Sequence, residues 1–333
     1  MKKLIFAAAS VAALVAMSAT LHSCGKASAS GSADYAAFVD PMIGTGGHGH
    51  TFPGAIVPHG MIQPSPDTRI DGWDACSGYY YADSLINGFS HTHVSGTGCA
   101  DYGDLLIMPT VGNQVIDAQT DTIQNLPYAS SFSHDNEVAE PGYYSVMLDR
   151  YGIKAEMTAS KRVALHRFTF PKTDKPGMIV DMDYSIQRQT NLDMAIEVVN
   201  DTTLRAWKLT EYWAFDQQAY FTMQFSRPFT HTMVTDTITD SKGRPYARCK
   251  ALLSFQPMEE GEQLFVKVAY SAVDYDGAAN NLASDMPGYD FDATRAEARR
   301  HRGAARELIA RQCHNGHLLE TSVLIDGHQL DLD

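Results

Sequence analysis

Phe221-Thr222-Met223-Gln224-Phe225-Ser226 and Leu264-Phe265-Val266-Lys267-Val268-Ala269-Tyr270 decide the fold. In the first run Phe221, Met223 and Phe225 alternate with Thr222, Gln224 and Ser226. In the second, Leu264, Val266, Val268 and Tyr270 alternate with Phe265, Lys267 and Ala269. A period of two sends alternate side chains to opposite faces, so both runs read as half-buried antiparallel strands. Pro141-Gly142, Asp149-Arg150-Tyr151-Gly152, Pro176-Gly177 and Lys242-Gly243 read as breakers between such runs. Many short strands separated by turns predict a mainly β protein, a large antiparallel β-sandwich over residues 35–280, rather than a βαβ fold.

Outside that body the character changes. Asp292-Ala293-Thr294-Arg295-Ala296-Glu297-Ala298-Arg299 favours helix, so residues 281–300 are expected to begin a short helical linker. At the other end Lys2 and Lys3 precede an apolar run from Leu4 to Met17. That run is too short to span a bilayer comfortably and suits a secretory signal. Leu21-His22-Ser23-Cys24-Gly25 resembles a bacterial lipobox, which makes 1–24 a lipoprotein signal peptide and Cys24 the lipidated residue. Residues 25–34 are small and polar, as a tether should be. The expected location is outside the cytoplasm, as a bacterial lipoprotein of the periplasm or outer membrane, touching membrane only through its anchor. Of the five cysteines, Cys76, Cys99, Cys249 and Cys313 then remain. None forms a CxxC pair, and in an oxidising compartment two of them can pair, though sequence does not choose which.

The 333 residues carry 26 Lys and Arg against 39 Asp and Glu, a net charge of −13. Nucleic acid and anionic lipid call for clustered cations, so neither is expected as the main partner.

Three clusters could carry chemistry. In Gly44-Thr45-Gly46-Gly47-His48-Gly49-His50-Thr51-Phe52-Pro53-Gly54-Ala55, the two histidines would share a face on a strand and could hold a metal. The loop also looks like a phosphate cradle, but it lacks the GK[ST] ending of a P-loop. Next, Ser65-Pro66-Asp67-Thr68-Arg69 precedes Gly72-Trp73-Asp74-Ala75-Cys76-Ser77-Gly78-Tyr79. A Trp among acids and glycines suits a sugar platform, with a core Trp as the plain alternative. Third, Gly88-Phe89-Ser90-His91-Thr92-His93 through Ser95-Gly96-Thr97-Gly98-Cys99 to Asp104 offers a thiol beside histidines. It lacks the local context of a cysteine protease and contains no G-x-S-x-G elbow.

Taken together, Asp40-Pro41-Met42-Ile43-Gly44 through Ala55, Gly72-Trp73-Asp74 with Cys76-Ser77-Gly78-Tyr79, and Gly88-Phe89-Ser90-His91-Thr92-His93 through Gly98 resemble glycoside hydrolase family 92. The likeness covers roughly residues 35–295, as the family's N-terminal β-sandwich. The resemblance implies calcium-dependent exo-acting α-mannosidases, largely secreted by glycan-degrading bacteria. It also implies an inverting mechanism, with acid and base carboxyl groups roughly 6.5–9.5 Å apart. Acid, base and calcium ligands would lie in a C-terminal (α/α)6 barrel that is absent here, so no catalytic and no metal-binding residue is assigned. Carried onto this chain, the resemblance makes Trp73 a wall of the mannose pocket, with Asp67, Arg69, Gly46 and Gly47 nearby. His91, His93 and Asp104 shape the same surface or pack beneath it.

The implied partners are mannose-containing glycans and a C-terminal catalytic domain. Family members run to about twice this length or more. The His-rich tail at 301–333 looks foreign to the rest and is read as a product of a shifted frame. The rival expectation is a non-catalytic mannose-binding lipoprotein, and a His-based metal hydrolase is a third.

Overall fold

The two runs that alternate most cleanly become neighbouring strands at the centre of the larger sheet. In chain order the strands are β1 (Ser65–Asp67), β2 (Leu85–Ile86), β3 (Gly88–Ser90), β4 (Leu106–Val111), β5 (Ser130–Ser131) and β6 (Glu137–Glu140). There follow β7 (Tyr143–Leu148), β8 (Ile153–Ala159), β9 (Val163–Thr169), β10 (Pro176–Asp181), β11 (Thr190–Asn200) and β12 (Thr203–Glu211). The body closes with β13 (Gln217–Phe225), β14 (Phe229–Thr239), β15 (Pro245–Phe255) and β16 (Gln263–Ser271). This computed structural model describes residues 34–116, 125–186, 190–239, 243, 245–301, 323–325 and 328–330. The chain divides into residues 1–34, of which only Asp34 is described, and a unit from Tyr35 onward. The expected signal peptide, the Cys24 lipid site, nearly all of the tether and most of the tail lie outside the described residues.

Two large antiparallel sheets result among the described residues, besides the two-stranded pairs β2–β5 and 323–325 with 328–330. One has six strands in the order β1-β3-β4-β10-β15-β14, and the other has eight, β11-β12-β13-β16-β9-β8-β7-β6. In the larger sheet Phe221 stands opposite Tyr270 and Met223 opposite Val268. Gly142 and Gly152 turn the chain between β6, β7 and β8 with φ of 75° and 63°, conformations that glycine takes at little cost. Pro176-Gly177, read from sequence as a breaker, instead opens β10. Proline is tolerated there because the first residue of a strand can do without its ladder donor.

The inward sets meet between the sheets. Phe221, Met223, Phe225, Leu264, Val266 and Val268 join Met178, Val180 and Leu253 in one buried cluster. The opposite face of the larger sheet is covered as well. Helix α1 (Tyr275–Asp285), capped by Asp274 accepting from the Gly277 amide, and a second helix α2, described over 291–301, lie over it. Leu282, Met286 and Phe291 pack there on Tyr143, Val163, Leu165 and Ala269. The helical segment therefore starts at Tyr275, earlier than the residue 281 expected from sequence.

Arg167 ties the second helix to the sheet. It pairs with Glu156 and Asp292 and lies 4.2 Å over the Phe291 ring. Burial works against the charged form of Glu156. The hydrogen bonds from Arg167, Tyr143 and Lys154 outweigh it and bring its pKa down to about 2.

Candidate functional site

The glycines of the first cluster make a tight loop. The Gly44 carbonyl accepts from the Thr51 amide, and a Cβ on Gly49 would stand 2.2 Å from that same oxygen. Only glycine allows so close an approach. The Thr45 carbonyl accepts from the Tyr81 amide at 3.0 Å, which fastens the loop to the segment after the second cluster. Gly46 faces Tyr81, while Gly47, at φ 58°, has open space beyond it.

Trp73 opens a 3-10 turn over Trp73–Ala75 and is 57% exposed, unusual for so large an apolar side chain. Its indole Nε1–H donates to the Gly98 carbonyl at 2.8 Å, which fixes the ring at the surface. His50 meets it edge-on at 4.3 Å and His48 stands at 5.1 Å. His48 Nδ1 lies 2.6 Å from an Asp74 carboxylate oxygen. His50 takes a left-handed backbone, φ 56°, so the strand alternation that would put both histidines on one face does not hold here. Beside them Arg69 forks onto Asp83, with Nε at 2.7 Å and Nη2 at 2.6 Å. The Asp83 hydrogen bond raises the guanidinium pKa further, and the group stays charged. The resulting surface has an apolar ring face beside donors and acceptors, a chemistry that suits a pyranose: C–H bonds on the indole, hydroxyls on the polar groups.

The structure thus brings Gly46, Gly47, Arg69 and Trp73 together at the surface. It places Asp67, His91, His93 and Asp104 inside. Asp67 Oδ1 lies 2.9 Å from His93 Nε2, both side chains being fully buried. His93 Nδ1–H donates to the Gln63 carbonyl. His91 Nδ1–H donates to the Leu105 carbonyl, leaving its Nε2 to accept from His166 Nε2–H at 3.0 Å. Burial lowers the His91 pKa to about 3, and His166 is likewise pushed well below the ordinary range. Asp104 pairs with the buried Lys208 at 3.3 Å and accepts from Thr92. These four hold the loops from beneath.

The other chemistries meet geometric objections. Ser90, His93 and Asp67 do converge, but the serine and the aspartate both address Nε2, and a relay needs the two ring nitrogens to be used separately. Cys76, Cys99 and Cys249 are free thiols, and burial pushes Cys76 up to about 11, away from thiolate reactivity. Among the described residues no three His, Cys, Asp or Glu side chains gather to hold a metal ion. The carboxylates of the buried Asp181 and the half-buried Asp183 are engaged by Lys250 and Arg248. Calcium, implied by the resemblance, therefore finds no fitting donor set among these residues.

Sequence reasoning missed Asp83 as the clamp on Arg69, and missed Tyr81, His134 and Glu137 altogether. His134 stacks on Tyr81 at 4.1 Å and 5°, and no local pattern around His134-Asp135-Asn136-Glu137 announces it.

Residues 38–271 match the model of the glycosyl hydrolase family 92 N-terminal domain. The chain belongs to glycoside hydrolase family 92. Among solved members of family 92, an α-mannosidase of Bacteroides thetaiotaomicron in complex with mannoimidazole superposes with a TM-score of 0.72 at 36% identity. The match covers 81% of this chain and 36% of that one. An inverting family 92 mannosidase of the same organism gives 0.64 at 26% identity, covering 81% and 36%. An uncharacterised secreted glycosidase of Arthroderma benhamiae is 27% identical over 293 residues, 80% of this chain and 37% of that protein. The chain thus spans between a third and two fifths of the length of these relatives. The matched region coincides with the two sheets, so the β-sandwich is the N-terminal domain of the family 92 fold.

Proposed function

We propose that the Trp73 surface is one wall of a pocket for terminal α-mannose, in a secreted, lipid-anchored family 92 mannosidase that acts with inversion. The observation that carries this is the exposed indole, pinned through Gly98 and flanked by His48, Asp74 and Arg69. The indole face takes the apolar side of the sugar, and the Gly46-Gly47 turn leaves room for its hydroxyls. Membership of family 92 supports the glycan substrate, and the secreted Arthroderma benhamiae relative supports export.

Inverting hydrolysis needs one carboxylic acid at the leaving oxygen and one carboxylate on a water across the ring. Of the carboxylates beside Trp73 and Arg69, Asp74 is engaged by His48 and Asp83 by Arg69, while the exposed Asp71 accepts from the neighbouring Gly72 amide. That favours a second reading for this chain taken alone: it binds mannose-containing glycans and leaves catalysis, with any calcium, to residues outside those described. The purified chain is expected not to turn over an aryl α-mannoside, with or without added calcium. Calcium-dependent release of the aryl group would overturn the binding-only reading. Loss of all mannoside binding in a Trp73→Ala variant that unfolds like the parent would support the pocket wall.

A further inference from the structure

The carboxylate of Glu137 sits at the centre of a buried network. Its side chain is 1% exposed. Tyr144 donates to Oε1 at 2.5 Å, and Tyr79 donates across both oxygens at 3.0 and 3.1 Å. Burial, and the neighbouring Glu137 charge, hold both phenols far above their ordinary range, so both remain donors. The remaining contact of Oε2 is His134 Nδ1, at 2.5 Å.

His134 passes this on to the surface. Its Nε2–H donates to the Tyr81 carbonyl at 2.7 Å while its ring lies flat on the Tyr81 ring. Phe132 closes the imidazole from another side, edge-on at 5.3 Å. Tyr81 is held through both its carbonyl and its ring, and its own amide is the one that bonds Thr45. Thr45 and Gly46 begin the turn that carries Gly47 and His48. The contacts run without a gap: Glu137, His134, Tyr81, Thr45, then the loop beside Trp73.

We propose that Glu137 and His134 are positioning residues for the sugar-facing loop, fixing the Gly44–Thr51 turn through Tyr81. The inference rests on the reading of Trp73 and its neighbours as a mannoside-binding wall. It adds a support remote in sequence, on a 3-10 turn and the edge strand β6. Chemistry distinguishes the substitutions. A Gln at 137 accepts from the two phenols through its carbonyl. Its amide N–H then donates to Nδ1 of a neutral His134 whose Nε2–H still reaches Tyr81. A Phe at 134 keeps the stack and loses both hydrogen bonds.

The test is amide hydrogen exchange at Tyr81, Gly49 and Thr51 in the sugar-free chain, comparing Glu137→Gln, Glu137→Ala and His134→Phe. Each lost hydrogen bond raises local opening roughly several-fold. His134→Phe and Glu137→Ala are therefore expected to speed exchange at these amides by about tenfold, and Glu137→Gln by less than about threefold. Exchange at the three amides unchanged in His134→Phe, with the sheets still protected, would overturn the proposal. That variant keeps the test open if Glu137→Ala does not fold. A mannoside titration of the parent chain then judges the pocket reading separately, because the exchange experiment contains no sugar.

Discussion

At the level of single residues, the site is shaped most by groups whose neighbours leave no alternative. Gly78 has φ 93°, and a Cβ there would stand 2.0 Å from the Asp67 carboxylate. Gly47 also has a positive φ, but nothing lies within 4 Å of its missing Cβ. Gly78→Ala is thus expected to cost several times what Gly47→Ala costs, about 3 kcal/mol or more against about 1 kcal/mol. Urea unfolding of both variants measures the contrast, and equal losses would contradict the packing account. The Gly-rich composition of residues 40–110 suits ordered loops whose backbone approaches something closely. The something proved to be the chain's own backbone and a buried carboxylate. Asp67, His91, His93 and Asp104 were not legible as interior residues for a related reason. His166 and Lys208, which engage His91 and Asp104, lie 75 and 104 residues away in sequence, so no window joins them.

At the level of elements, the period of two in β13 and β16 gave their inward faces directly, while their pairing with each other appears only in the structure. It could not show that the outward set is also covered. Phe265, Lys267 and Ala269 read as a solvated face, yet α1 and its successor lie on them, and the Lys267 ammonium reaches the Met286 carbonyl at 3.1 Å. The sheets are also joined by a polar contact, His91 just after β3 meeting His166 on β9. A histidine in the unfolded chain takes up a proton near pH 6.5. In the fold burial holds His91 neutral down to about 3. Below pH 6.5 the unfolded state therefore binds more protons, and stability falls as pH falls. The loss from His91 alone is about 1.4 kcal/mol per pH unit between 6.5 and about 3. Urea midpoints recorded at pH 7.5, 6.5, 5.5 and 4.5 should be level across the first two and then decline. A flat profile down to 4.5 would contradict the neutral buried pair.

Over the whole molecule, the sandwich and its family were readable because three long motifs stand in order along the first hundred residues. The working surface was only partly readable. The motifs contain Gly46, Gly47, Trp73 and the Gly98 carbonyl that pins its indole, but His134, which holds Tyr81 behind the loop, comes from the segment after β5. Trp73 carries the mannose-facing wall, because its exposed ring is the apolar face a sugar would meet. A single wall binds a monosaccharide weakly, so the deciding measurement has to read millimolar affinity. It is a titration of the chain with methyl α-mannoside, followed by NMR at the Trp73 indole Nε1–H and at the Gly46, Gly47 and Gly98 amides. A mannose-facing wall at Trp73 gives saturable shifts at these positions, and those of the Gly46, Gly47 and Gly98 amides vanish in Trp73→Ala. Shifts confined to other surfaces, or none at these four groups at saturating sugar, would contradict it.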